Sequence, residues 1–213
     1  MHNMEQELRQ QLTDAADRLT QKNLFGRPGD SMSLRIPGTQ DWMWVTPEES
    51  TPQVSGSDQS EGRPQLHDEL YRHRSDAGAL LFSTTTWSEQ LSALQKVPPT
   101  LFDEPARHIG PVAKPVRDGD KAGLLKAVER RSNVAVYGSK LLRIGMTTDR
   151  VIFNTELFEK CAMAFVIADS SGRRIRTVPG WVRYIAGGRL QKDQKRATES
   201  YAEGRIPEGM NNY

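Results

Sequence analysis

With 213 residues, 36% hydrophobic and 26% charged, the chain is long enough for one domain with a substantial core and too short for two ordinary ones. The longest apolar stretches, such as residues 134–136 and 162–168, fall far short of the roughly 20 residues of a bilayer span, so no membrane helix is expected. The net charge is only +2, yet residues 173–196 hold eight bases against the single acid Asp193, which sets off 170–213 as a basic C-terminal segment of the one domain, 1–213.

The N-terminus has no basic stretch leading into an apolar one, so no secretory signal is expected. Residues 4–23 place Leu8, Leu12, Ala15, Ala16 and Leu19 at three- and four-residue spacing, which predicts an amphipathic helix closing near Gly26. A strict alternation follows, with Met32, Leu34 and Ile36 on one side and Ser31, Ser33 and Arg35 on the other. Pro37-Gly38 turns the chain, and residues 42–45 return as a second strand. The Ser-, Pro- and Gly-rich residues 46–64 predict a loop.

A short helix is expected over about 65–74, then a buried strand at 79–82 and a helix at about 87–95. Pro98-Pro99 opens an irregular connection reaching Asp118, with a possible short strand at 109–113. Leu124, Leu125 and Val128 mark another helix, and Asn133 precedes strands at 134–137 and 140–144. From 148 to 169 a long helix repeats Val151, Thr155, Phe158, Ala162 and Phe165, ending at Ser170-Ser171-Gly172. The tail is expected to hold short helices. Interleaved strands and helices without a repeat period predict a mixed α/β layer architecture.

Cys161 is the only cysteine, which excludes an intramolecular disulfide or a thiolate zinc knuckle and fits a reducing, cytoplasmic setting. Phe158, Ala162 and Phe165 surround it at helical spacing, so it reads as a small buried hydrophobe. His67 and His73, six apart, project about 240° apart on a helix and cannot share a metal from one face. The basic segment, with Trp181 and Tyr184, could face nucleic acid or an anionic lipid. A subunit-facing or solvated surface is favoured, because no nucleic-acid motif accompanies it.

The order of pieces from the first helix to about Ala168 resembles the class II aldolase/adducin family. The family's Gly-Asn-x-Ser-x-Arg-type loop is matched by Gly29-Asp30-Ser31-Met32-Ser33-Leu34-Arg35, and its Ile-Thr-Pro-Ser-Gly-type strand end by Val45-Thr46-Pro47-Glu48-Glu49. Gln65-Leu66-His67-Asp68-Glu69-Leu70-Tyr71 stands at its His-x-x-x-Tyr helix. Phe82-Ser83-Thr84 falls in the slot of a His-x-His strand, and Tyr137-Gly138 in that of a His-Gly strand. The resemblance implies a single-domain, three-layer fold with a central, mostly antiparallel sheet flanked by helices. It also implies a homo-oligomer, a tetramer in most members, with sites between neighbouring subunits.

Working members hold a divalent metal on three histidines, and here Phe82, Thr84 and Tyr137 stand at those positions. Phe82 has no lone pair to offer, and the neutral hydroxyls are poor zinc ligands. Arg63 replaces the carboxylate expected four residues before His67 and cannot exchange protons near neutral pH; only a local shift would bring Glu61 there. Asp30, Glu48-Glu49 and Glu61-Gly62 replace phosphate-cradling residues, and carboxylates repel a dianion.

The expected ligand cleft is therefore Asp30, Ser33, Glu48, Arg63, Phe82, Thr84 and Tyr137, with no metal or other cofactor. If its acids cluster around Arg63, a neutral or cationic polar ligand suits it. The function read from this is a binding, regulatory or oligomeric interaction module that has lost metal-dependent aldolase activity. The alternative is a metal-independent lyase acting on a small non-phosphorylated carbonyl or hydroxy-acid compound, with Tyr137, Arg63 and Asp30 as its polar groups.

Overall fold

The computed structural model describes residues 2–56, 64–129 and 131–208. The amphipathic opening forms α1 (His2–Gln21), and the alternating segment forms β1 (Ser31–Arg35). Gly38, at φ +74°, makes the left-handed turn into β2 (Trp42–Val45). Inside the expected loop, β3 (Gln53–Val54) adds two residues of edge strand. Next come α2 (Gln65–His73), β4 (Ala79–Ser83), α3 (Thr86–Leu94), α4 (Asp103–His108) and α5 (Lys121–Glu129). The hairpin β5 (Val134–Tyr137) and β6 (Lys140–Gly145) precedes α6 (Thr148–Ser170) and α7 (Gly180–Ala202).

The strands form one sheet in the order β3-β2-β1-β4-β6-β5, and every pairing of neighbouring strands is antiparallel. The register pairs Met32 with Val45 and Leu81, and Ser33 with Trp44 and Leu80, so the alternation in β1 sorts side chains onto two covered faces. On one face Leu8, Leu12, Ala15 and Leu19 of α1 meet Met32, Leu34, Met43 and Leu81, with Val151 and Ile152 of α6. That face continues over β5 and β6, where Val134, Val136 and Leu141 pack against Phe158, Cys161 and Phe165. On the other face Trp42, Trp44, Leu80, Phe82 and Tyr137 lie under Leu70 and Tyr71 of α2 and Leu124 and Val128 of α5. This is a three-layer arrangement, and no helix among the described residues is long and apolar enough to cross a membrane.

Two further expectations fail. Residues 109–113 form no strand, because the preceding α4 ends there: the amides of Ile109 and Gly110 both donate to the carbonyl of Pro105. Gly110 at φ +76° then turns the chain, and a Cβ there would sit 2.6 Å from the carbonyl oxygen of Arg131. The only pairing in this connection is a single parallel bridge from Val116 to Tyr137. The second failure is the tail, which forms the 23-residue α7 rather than short helices. Its inner face buries Leu190 and Ala197 beside Met146, Asp193 pairs with Arg107 at 2.6 Å, and the Tyr201 hydroxyl donates to the carbonyl of Met146 at 2.9 Å. These contacts carry the helix across its adjacent glycines Gly187 and Gly188.

Candidate functional site

On the α2 side of the sheet a cleft of about 610 Å³ opens between the start of β1, the first turn of α2 and the ends of β4 and β5. Its lining includes Ser31, His67, Phe82, Tyr137, Lys121 and Lys140. Because β1 alternates, Ser31 and Ser33 both project to this face, and they bracket the buried ring of His67. Ser31 Oγ lies 3.0 Å from Nε2 and Ser33 Oγ 2.6 Å from Nδ1. A neutral imidazole has one N–H and one lone pair, so one serine accepts from it and the other donates to it. Ser33 also meets the Tyr71 hydroxyl at 2.9 Å.

Trp42 stacks on the His67 ring at 5.5 Å, and Phe82 leans on it at 5.3 Å. Burial in these surroundings pushes the imidazole down to about 3, despite the carboxylate of Asp68 nearby. Asp68 itself accepts the Trp42 indole N–H at 2.7 Å. The same burial holds the Tyr71 phenol above its usual range. His67 is thus a neutral floor for the cleft, with both ring nitrogens occupied.

Two guanidiniums fix α2 over the sheet. Arg35 donates to the carbonyls of Ala77, Tyr71 and Arg74 at 2.7, 2.8 and 3.0 Å, and lies over the Tyr71 ring. Buried Arg74 pairs with Asp76 through Nε and Nη2, both at 2.7 Å. It also donates to the carbonyls of Val128 and Ser132, at 2.9 and 2.6 Å, and to the Asn133 side chain at 2.8 Å. The C-terminus of α2, the end of α5 and the start of β5 are therefore tied to one side chain.

The structure divides the expected site residues. Phe82 and Tyr137 line the cleft, their rings meeting edge to face with centroids 6.5 Å apart. The Tyr137 oxygen accepts the Gly119 amide at 2.9 Å, which leaves its own hydrogen for a further acceptor. Ser33 lies beneath the cleft and acts on it through His67. Glu48 is exposed at the rim, where its carboxylate accepts the Gly29 amide at 3.3 Å. Backbone amide donors, its own first and then that of Gly29, hold its pKa below the usual carboxylate range. The Lys140 ammonium donates to the carbonyl of the same Gly29.

Asp30 does not reach the cleft as expected. Its carboxylate accepts the amides of Gly26 and Arg27 at 3.1 and 2.9 Å on one oxygen and that of Thr84 at 2.9 Å on the other. Burial raises its pKa and these three donors oppose the rise. Asp30 and Thr84 together fasten the α1–β1 loop to the end of β4. Arg63, with Glu61 and Gly62, lies outside the described residues. The expected cluster of acids is absent from the described wall of the cleft, which instead carries Lys121 and Lys140 with Asp118.

The residues expected in the cleft did not include His67, Ser31, Lys121 or Lys140. The serines 34 and 36 positions before His67 gave no local signal that they would meet it. Lys140 was legible only as the opening residue of a strand.

No family model and no curated protein matches the chain. Among solved structures it is similar to an L-fuculose 1-phosphate aldolase, with a TM-score of 0.73 at 16% identity, over 87% of this chain and 96% of the other. YgbL from Escherichia coli, a putative aldolase/epimerase/decarboxylase, aligns with a TM-score of 0.72 at 19% identity, over 86% and 99% of the two chains. An aldolase II superfamily protein from Pseudomonas syringae gives 0.69 at 16% identity over 96% and 95%. The chain therefore has a class II aldolase-like fold across most of its length.

Proposed function

We propose that this class II aldolase-like fold serves as a binding module whose cleft takes a small hydroxylated or carboxylated molecule without a divalent ion and without turnover. The observation that carries the reading is the set of side chains that the sheet delivers to the cleft floor. Phe82 offers a ring with no lone pair, the Tyr137 oxygen already accepts an amide hydrogen, and both His67 nitrogens are occupied by serines. Thr84 lies off the cleft wall, and among the described residues no three His, Cys, Asp or Glu side chains come together to hold a metal. These donors do not fit the divalent ion that the family resemblance implies.

The wall favours a ligand with hydroxyl and carboxylate groups. Lys140 supplies positive charge, Lys121 a second ammonium already paired with Glu69 at 3.1 Å, Ser31 and Tyr137 supply hydroxyls, and Phe82 supplies a flat apolar surface. A cytoplasmic assembly of identical subunits, a tetramer by resemblance, belongs to the same reading.

The test is calorimetric titration with a panel of hydroxy acids, aldoses and keto acids, alongside elemental analysis of the purified chain. Saturable binding by at least one compound, unchanged by a chelator and without product formation, is the expected result. Near-stoichiometric zinc, manganese or iron would overturn it.

A second reading, a metal-independent lyase acting on a small non-phosphorylated carbonyl or hydroxy acid, draws on the Gly119 amide. With that donor on its oxygen, the Tyr137 hydroxyl hydrogen is aimed elsewhere and could be given to a ligand. Turnover abolished by Tyr137→Phe and insensitive to chelator would favour this reading over the first.

A further inference from the structure

The outward face of α7 carries a pattern that the packing of the chain does not require, although Lys195 on it lies 3.9 Å from the Glu199 carboxylate one turn on. Its buried face is defined by Leu190 and Ala197. On the opposite side, Trp181, Tyr184, Gly188, Lys192 and Lys195 follow one another at spacings of three, four, four and three. On an ideal helix all five fall within about 40° of Gly188, in one stripe. The stripe is palindromic in position about Gly188 and split in chemistry, with aromatics before the glycine and lysines after it.

All four flanking side chains are exposed, Trp181 by 69% and Tyr184 by 84%. Ile185, beside the stripe, is 52% exposed. Glycine is unfavourable in a helix interior, and a Cβ at Gly188 would meet nothing within 4 Å. The chain's own packing therefore gives no reason for this residue to lack a side chain.

We infer that this stripe is a self-association surface, on which α7 packs antiparallel against α7 of a second copy of this chain across a two-fold axis at Gly188. In that arrangement a residue a given number of places before Gly188 faces the residue the same number after it in the other copy. Trp181 then meets Lys195 and Tyr184 meets Lys192, each pair formed twice. Each is a cation over an aromatic face, an attraction that grows as the pair leaves water. At the axis, two glycines let the backbones approach closely.

The interface is isologous and self-complementary, as closed two-fold dimers require. The three exposed apolar side chains offer roughly 400 Å² per copy, about half of what a standard interface buries on each side. The cations and the rim supply the remainder. A parallel pairing would set lysine against lysine and is disfavoured. The surface lies apart from the cleft, so the inference stands whether or not the cleft binds as proposed.

The test uses cysteine pairs in the full chain, since the native Cys161 is buried and its thiol is pushed up to about 11. Gly188→Cys, whose new side chain enters open space, should form a covalent dimer with itself under mild oxidation. Trp181→Cys should cross-link with Lys195→Cys when the two proteins are mixed, and only weakly with itself. By sedimentation equilibrium, the double variant Lys192→Glu, Lys195→Glu should raise the dissociation constant of this contact at least about tenfold. The circular dichroism spectrum should be unchanged.

Failure of Gly188→Cys to cross-link, or equal self-linking by Trp181→Cys, would overturn the arrangement. So would an unaltered association constant in the charge-reversed chain. A protein that stays monomeric yet binds RNA or anionic vesicles through Lys192 and Lys195 would also overturn it, by assigning the face to a different occupant.

Discussion

Two fully buried polar side chains, Arg143 on the α6 face and His67 on the α2 face, are accommodated in opposite ways, although the α2 layer also buries the Arg74–Asp76 ion pair. On the α6 face Arg143 is fully buried and charged, donating to Ser83 at 2.6 Å and to Glu159 at 2.9 Å, while Glu159 also accepts the Thr85 hydroxyl at 2.8 Å. On the α2 face His67 is equally buried but neutral, held by hydroxyls alone. The ionic arrangement sits in a closed layer, whereas the neutral one forms the floor of an open cleft. An ion beside an open cleft would be partly satisfied by water; in the closed layer only the partner carboxylate can offset the desolvation of the guanidinium. Burial depth alone does not mark the site. What marks it is a polar network whose outer member, Ser31, also reaches the cleft wall.

The sharpest way to break this comparison is to remove one ion. Glu159→Gln leaves the Arg143 guanidinium buried without its ion-pair partner and should lower unfolding free energy by about 4 kcal/mol, read by urea denaturation. Arg143→Met combined with Glu159→Leu should recover most of that loss. If Glu159→Gln is as stable as the parent, the pair is not what neutralises this layer.

A smaller effect separates the faces by pH. The His67 imidazole ionises at about 3 when folded and at 6.5 when unfolded, so acidification loads a proton onto the unfolded chain first. Its contribution is complete above about pH 6.5 and is lost as pH falls toward 3. By pH 5 the loss should be about 2 kcal/mol. His67→Phe should be less stable at neutral pH, by about 2 kcal/mol for the hydrogen bonds that Ser31 and Ser33 lose, and its stability should fall less steeply between pH 6.5 and 4. An identical pH slope in parent and variant would show that the ring is already protonated in the fold.

The smallest expected change is at the cleft wall. Tyr137→Phe removes one of two acceptors of the Gly119 amide, the other being the Asp118 carboxylate at 3.1 Å, and should lower stability by at most about 1 kcal/mol. Affinity for whichever compound binds should drop about tenfold. A drop in affinity without any loss of stability would separate the roles of the hydroxyl as ligand contact and as loop anchor.

Much of the fold was legible because its signals are local. The alternation from Ser31 to Ile36, the apolar runs of β4 and β5, and the long repeat of α6 all act within one element. The short α4 and β3 were not, since Pro105 interrupts the pattern of one and the other spans only Gln53–Val54. In α7 the adjacent glycines broke the periodicity that tertiary contacts to Met146 and Arg107 restore. The site was half legible. Phe82 and Tyr137 line the cleft, where the family resemblance put them, but Asp30 turned inward. Amides from its own loop and from Thr84, 54 residues away, compete for its oxygens, and that competition cannot be read from the order of residues.

Arg74 has a consequence for what the cleft accepts. Since a single guanidinium ties the C-terminal end of the helix bearing His67 to the residues just before the strand bearing Tyr137, the two walls spring from one anchor at the end remote from the cleft, which limits how far they can part. Congeners that differ in length should then show a sharp optimum in affinity, whereas a jaw that adjusted to each guest would rank them gradually.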